Sequence, residues 1–279
     1  MRRRILIWLL GAGLAPVVFA QTAPTITAEQ IVEKNAAARG GVEAWKRLQT
    51  MAWTGYVESG TRAGRRLEFL LEQKRPNKTR FELVTDGQRS IRMYDGKGGW
   101  KLRPNPANGR PELSPYTDDE IRFARSAAVI DGPLMDYVGK GGVVALAGLG
   151  EVEGRRAYVM NVKLPSGGEQ RIWVDAETFL EVRHDRQVRS GMGQVGTVTV
   201  LFREYREFEG VKLPTQIETG SGIGASANKL VIERVALNPQ LDDQAFARPD
   251  TPVSRRNSVI VDTRTAAPAG APVPSARRP

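Results

Sequence analysis

The sequence contains no cysteine and a single histidine, and after its first twenty residues no apolar run is long enough to span a bilayer. Each absence removes a class of protein. Without cysteine there are no disulfide staples and no thiolate metal site. The chain must then be held by its core. A domain of this size buries roughly 70–75% of its extended surface, so such a core is attainable. Helix is scarce as well. From Met51 to Leu237 the pattern is almost entirely strand, and only Thr117 to Val138 reads as helix. Hairpins with one helical plug build an antiparallel sheet wrapped around something. They do not build the crossovers of a nucleotide-binding α/β enzyme. The economical reading is a container or a surface, with no catalytic residues, no metal and no cofactor.

The ends are read apart from the fold. Arg2, Arg3 and Arg4 form a positive n-region, Ile5 to Leu14 a short apolar core, and Val18-Phe19-Ala20 ends in a small residue. Residues 1–20 therefore read as a signal peptide cleaved after Ala20, which sends the chain to the periplasm. The alternative is an uncleaved N-terminal anchor. No cysteine follows, so an N-terminal lipid anchor is excluded.

The formal charge of +10 suggests nucleic acid, but the leader holds three of these charges. The stretch after Asp250 adds Arg255, Arg256, Arg264, Arg277 and Arg278 against Asp262, which leaves +3 for residues 21–250. No folded basic face is implied, and no nucleic acid is expected. Residues 251–279, rich in Pro, Ala and Arg, read as a disordered, solvated tail. A basic tail could touch an anionic surface or a partner. Val259-Ile260-Val261 could add an edge strand, but reads more simply as a stray apolar patch.

Between these ends lies one domain, 21–250. Thr27-Ala28-Glu29-Gln30 fits a capping box for a helix that runs to about Ala38 and stops at Gly40-Gly41. A second helix, Val42 to about Gln49, puts Val42, Trp45 and Leu48 on one face. Strand patterns follow at Met51–Val57, around Leu67–Leu71, around Arg80–Leu83, and at Ser90–Tyr94 and Gly99–Arg103, with a turn at Asp95-Gly96. A loop with Pro104, Pro106, Pro111 and Pro115 breaks the sheet. Thr117-Asp118-Asp119-Glu120 is a second capping box, and its acids suit the positive end of the helix dipole. Ile121, Ala124 and Ala128 lie along one stripe of this helix, which Gly132-Pro133 interrupts.

Strands resume after Gly141-Gly142. Their apolar faces carry Tyr158, Met160, Val162 and Leu164, then Ile172 and Val174, Leu180 and Val182, and Val198, Val200 and Phe202. Val211–Glu218 and Lys229–Leu237 close the series, for about eleven strands.

Candidates for chemistry are few. His184 lies in Arg183-His184-Asp185-Arg186, the charged pattern of a solvent-facing strand end. Gly220 to Ala225 lacks the helix that a phosphate loop needs, and reads as a hairpin connection. Gly139 to Gly142 has the same weakness. Asp118-Asp119 caps a helix, and Asp242-Asp243 lies in a polar turn. Asn77-Lys78-Thr79 matches a glycosylation acceptor by a tripeptide common by chance. Trp45, Trp53, Trp100 and Trp173 are core aromatics or cavity walls.

The order of parts resembles a known family. Its residues are the capped helix with Arg39-Gly40-Gly41, then Gly154 to Val159, then Ile172-Trp173-Val174-Asp175-Ala176-Glu177-Thr178. Glu204-Tyr205-Arg206-Glu207-Phe208-Glu209-Gly210-Val211-Lys212-Leu213-Pro214 and Asp242 to Pro249 complete the pattern. Across about residues 27–250 this is similar to the LolA-like superfamily of periplasmic lipoprotein carriers, in its outer-membrane lipoprotein-sorting branch. The resemblance implies an α+β, mainly antiparallel half-barrel with helices over its concave face. It implies a cavity for lipoprotein acyl chains or another lipid. An envelope membrane protein partner is possible under it, and the chain is expected to be a monomer.

Strand alternation nominates Trp53, Phe69, Leu71, Phe81, Leu83, Tyr158, Met160, Ile172, Val174, Val200 and Phe202 as cavity candidates. Thr117 to Val138 is the candidate lid. The rival reading is a regulatory or scaffolding module on the same fold that binds a protein partner. A hydrolase would need His184 buried beside a serine and an acid.

Overall fold

The computed structural model describes residues 26–60, 65–105, 107, 110–127, 130–165, 168–189, 195–221 and 227–249. The expected leader, the tail from 250 onward and most of the Gly220–Ala225 connection lie outside the described residues.

Helix α1 (Ala28–Ala38) starts at the expected capping box. The Thr27 hydroxyl accepts from the Gln30 amide at 3.2 Å, and the Gln30 side-chain oxygen accepts from the Thr27 amide at 3.0 Å. The helix stops at Gly40, whose φ of +106° favours glycine, and a Cβ there would sit 2.0 Å from the Gly210 carbonyl oxygen. The helix end and a hairpin tip thus meet backbone to backbone, and the Lys212 amide donates to the Arg39 carbonyl at 3.0 Å. Helix α2 (Val42–Lys46) is shorter than expected, yet Trp45 and Leu48 are both buried.

The strands are β1 (Thr50–Glu58), β2 (Arg66–Lys74), β3 (Lys78–Thr85), β4 (Gln88–Tyr94), β5 (Gly99–Pro104), β6 (Pro111–Pro115) and, after helix α3 (Asp118–Ala127), β7 (Val143–Val152). They continue as β8 (Arg155–Lys163), β9 (Glu169–Asp175), β10 (Glu181–Arg189), β11 (Val195–Phe208), β12 (Val211–Ser221) and β13 (Asn228–Leu237). All thirteen join one sheet in the order β6-β5-β4-β3-β2-β1-β13-β12-β11-β10-β9-β8-β7, with antiparallel ladders. The sheet is open, with β6 and β7 at its edges. This is the expected α+β half-barrel, with two strands beyond the eleven anticipated.

The additions are β7 and β6. The stretch expected to be a proline loop instead pairs Pro111 with Pro104 and Pro115 with Trp100. Proline lacks a ladder donor, and an edge strand is where that loss is tolerated.

The helical segment also differs from expectation. Helix α3 is described to Ala127, and residues 130–141 are a run of turns. Leu134 and Met135 pin that run into the core beneath α1 and α2. Ala124 is buried as part of the stripe, Ile121 is half-buried, and Ala128 lies outside the described residues.

The family-like motifs have local physical roles. Asp175 is buried, and its Oδ1 accepts from the Glu177 amide, the Thr178 amide and the Thr178 hydroxyl at 2.8–3.1 Å. It also pairs with Arg155 at 2.9 Å. Asp175→Ala would strip the partner from each of these donors. A loss of about 2 kcal/mol is expected in urea unfolding, with unchanged far-UV circular dichroism. Farther on, Asp243 pairs with Lys74 and Lys78, so the expected polar turn after Pro239 is strapped to β2 and β3.

Candidate functional site

The concave face divides into two unlike halves. One half is sealed. Ile31 and Val32 of α1 pack with Val144, Met160, Val162, Ile172 and Val174 from β7, β8 and β9. Ala36, Trp45 and Leu48 cover Met51, Val211 and Leu213. Here Met160, Ile172 and Val174 are fully buried, and Tyr158 stacks on Phe179 at 6.0 Å between ring centres. These four cavity candidates lie beneath α1 and serve as core.

The other half is only partly covered. Phe69, Val57 and Ile232 form a small buried centre on β1, β2 and β13. Around it Trp53, Leu67, Leu71, Phe81, Leu83, Ile217, Leu230 and Val235 are half-buried. Phe69 and Phe81 stack at 5.9 Å. Phe202 lies opposite Ile217 in the ladder, and Val200 lies on the same face beside it, both half-buried. Trp53, Phe69, Leu71, Phe81, Leu83, Val200 and Phe202 therefore belong to one apolar wall that crosses β3, β2, β1, β13, β12 and β11. Ile217, Leu230 and Val235 complete it. Their strands alternate in the sequence as clearly as the others, and that alternation was the signal available for them.

Helix α3 touches the sheet on either side of this wall. At one end Lys101 of β5 donates to both Glu120 oxygens, at 2.9 and 2.7 Å. A second capping box forms as expected, with the Glu120 amide donating to the Thr117 hydroxyl at 3.3 Å. Ala124 and Ile121 pack with Tyr94 and Tyr116. At the other end the guanidinium of Arg186 on β10 lies 3.7 Å from the centre of the Phe123 ring. Seven strands separate β5 from β10 in the sheet order. One short helix touching both must cross the mouth of a strongly curled sheet.

A buried polar cluster underlies the join between the two halves. Arg39, at the C-terminal end of α1, pairs with Glu181 at 2.9 Å, donates to the Asp131 carbonyl at 3.0 Å, and lies over the Trp45 ring at 4.3 Å. Tyr205 donates to the Glu181 carbonyl at 2.8 Å. Asp131 takes Arg75 at 2.9 Å and Lys140 at 2.6 Å. Burial alone would raise the Glu181 carboxyl, but Arg39, His184 and Lys140 outweigh it and hold it down at about 2. Burial, then the Glu181 charge, push the Tyr205 hydroxyl above its ordinary range. Burial lowers the Lys140 ammonium against the opposing pull of Asp131.

His184 belongs to this cluster, and its expected place at a solvent-facing strand end is corrected. It lies opposite Ile172 and Val200, so it faces the concave side, and its side chain is 16% exposed. Its Nε2 lies 2.6 Å from Glu181, and its ring meets Phe202 at 4.6 Å. The flanking charges misled because alternation sends Arg183 and Asp185 to the opposite face, where they pair with each other at 2.7 Å. Among the described residues no group of three or more Asp, Glu or His side chains is placed to hold a metal. Among them too, no helix is long and apolar enough to cross a membrane.

An open antiparallel sheet with helices on its concave side, half of that side sealed and half a partly covered apolar wall, defines a LolA-like half-barrel. Solved structures agree on the fold. A LolA superfamily protein from Nitrosomonas europaea is 14% identical, with 80% of this chain and 99% of that chain covered at a TM-score of 0.52. A DUF1329 family protein from Desulfovibrio piger is also 14% identical, with 80% and 98% covered at a TM-score of 0.50. No family model and no curated protein matches the sequence.

Proposed function

We propose that this protein is a non-catalytic, periplasmic carrier or binding protein for acyl chains, of lipoproteins or of another lipid, within outer-membrane lipoprotein sorting. The observation that supports it most is the unequal packing of the concave face. The same sheet is sealed under α1 and α2, yet leaves a six-strand apolar wall only half-buried. The Trp53 indole nitrogen on that wall is buried without a hydrogen-bond partner. Buried donors are normally satisfied, so an orphan there points to a missing acceptor such as a lipid carbonyl.

An acyl chain of about fifteen methylenes would gain on the order of 12 kcal/mol from full burial, before ordering costs. Release from so favourable a site needs a cover that moves, and α3 is that cover. Residues 130–141 stay behind, pinned by Leu134 and Met135. Titration with a fluorescent fatty acid tests the reading. Saturable uptake with a blue-shifted, enhanced signal is expected. A probe that stays dark at micromolar protein would overturn it.

A further inference from the structure

Arg186 differs from the two arginines of the buried polar cluster. Alternation along β10 places it on the same face as His184, opposite Gln170 of β9 and Val198 of β11. One face of its guanidinium is occupied by the Phe123 ring of α3 at 3.7 Å. Its Nη1 is buried and has no hydrogen-bond partner. Among the described residues no carboxylate pairs with it, whereas Arg39 has Glu181 and Arg75 has Asp131. Burial alone pushes its guanidinium down to about 10, so it is still a cation at neutral pH.

A half-buried cation with one shielded, unpartnered nitrogen and no paired anion carries a desolvation cost that an anion would offset. The position says what. Arg186 lies at the rim where α3 meets β10, and the apolar wall begins beside it at Val198, Val200 and Phe202. A molecule with its hydrocarbon on that wall would bring its head to the free edge of the guanidinium. A guanidinium stacked on a ring through its face donates through its edge, in a fork that suits a carboxylate or a phosphate.

We propose that Arg186 is the headgroup site of this protein, and that the preferred ligand is an amphiphile with an anionic carboxylate or phosphate head rather than a neutral acyl chain. The inference rests on the acyl-binding reading above and narrows it. It also assigns Phe123 a part, since the ring orients the guanidinium and α3 could close on the head once the tail is seated.

The test compares three ligands with one C18 chain, oleic acid, oleyl alcohol and oleoyl lysophosphatidic acid, on the full chain and on Arg186→Met. Charge-assisted hydrogen bonds correspond to roughly tenfold to a hundredfold in affinity. The parent protein is expected to bind the two acids tighter than the alcohol by that factor, and Arg186→Met to bind all three alike. A phosphate tighter than the carboxylate would identify a phospholipid source, and equal affinities a fatty-acid source; both support the site. Equal binding of acid and alcohol by the parent would overturn the headgroup site and leave acyl binding intact. Preference for the acids surviving in Arg186→Met would do the same. Failure of all three ligands would remove both readings. Should Arg186→Met not fold, Arg186→Gln takes its place in the comparison, and equal binding of acid and alcohol by the parent overturns the site in either case.

Discussion

Arg39→Met is expected to destabilise the protein by about 3–5 kcal/mol, a shift readable in the urea midpoint. Arg39 is buried, and it supplies one partner of Glu181, a cap on the Asp131 carbonyl and a cation over Trp45. Methionine fills much of the volume but leaves the Glu181 carboxylate in the interior with His184 alone at 2.6 Å. Removing the second partner as well, in Arg39→Met with Glu181→Met, should recover most of the loss, because no uncompensated charge is left. A single variant within 1 kcal/mol of the parent would refute this account of the cluster.

The same pair makes a pH prediction. The Glu181 carboxyl lies at about 2 in the fold, against an ordinary value of 4.5. A depressed carboxyl stabilises the fold fully above its unfolded value, and that contribution disappears as pH falls through the folded value. The parent should therefore lose about 3 kcal/mol from this group between roughly pH 4.5 and 2. Arg39→Met should show a shallower decline across that window.

The second large effect concerns binding. Leu83→Glu should weaken uptake of a fatty-acid probe by about a hundredfold or more. Leu83 is half-buried, opposite Phe69 in the ladder and next to Phe81 on the apolar wall. A carboxylate there stays hydrated while the wall is open, so the folding cost should be only about 1 kcal/mol. Covering it with hydrocarbon would strip that hydration, and the penalty then falls on the bound state. Val143→Glu is the control, since Val143 is 61% exposed on the edge strand β7. It should bind the probe as the parent does. Equal weakening by both substitutions would point to a general charge effect rather than to the wall.

Much of this architecture was legible from residues. Capping boxes at Thr27 and Thr117, the stop at Gly40 and the Asp95-Gly96 turn announce themselves because each is local chemistry that short-range sequence controls. Period-2 alternation marked the walls for the same reason. What alternation cannot say is which wall a helix will cover. Met160 and Phe81 read alike in the sequence, yet α1 seals the first and leaves the second half-exposed, and that depends on where the chain returns. His184 and Glu181 are three residues apart, and their contact needs the irregular pairing between Glu181 and Arg183 that brings both to the concave side. Arg186 looked like one more surface charge because its neighbour Phe123 lies more than sixty residues earlier in the chain. Pro111 to Pro115 misled in the opposite direction, since prolines that end most strands are at home on an edge.

Native mass spectrometry of the protein purified from the organism's own envelope bears most directly on the claim that the partly covered wall exists to hold hydrocarbon. The account predicts a population heavier than the polypeptide alone by the mass of one acyl-bearing molecule, lost on organic extraction and regained on adding back the extract. A single species at the polypeptide mass, with no gain on exposure to envelope lipids, would contradict it.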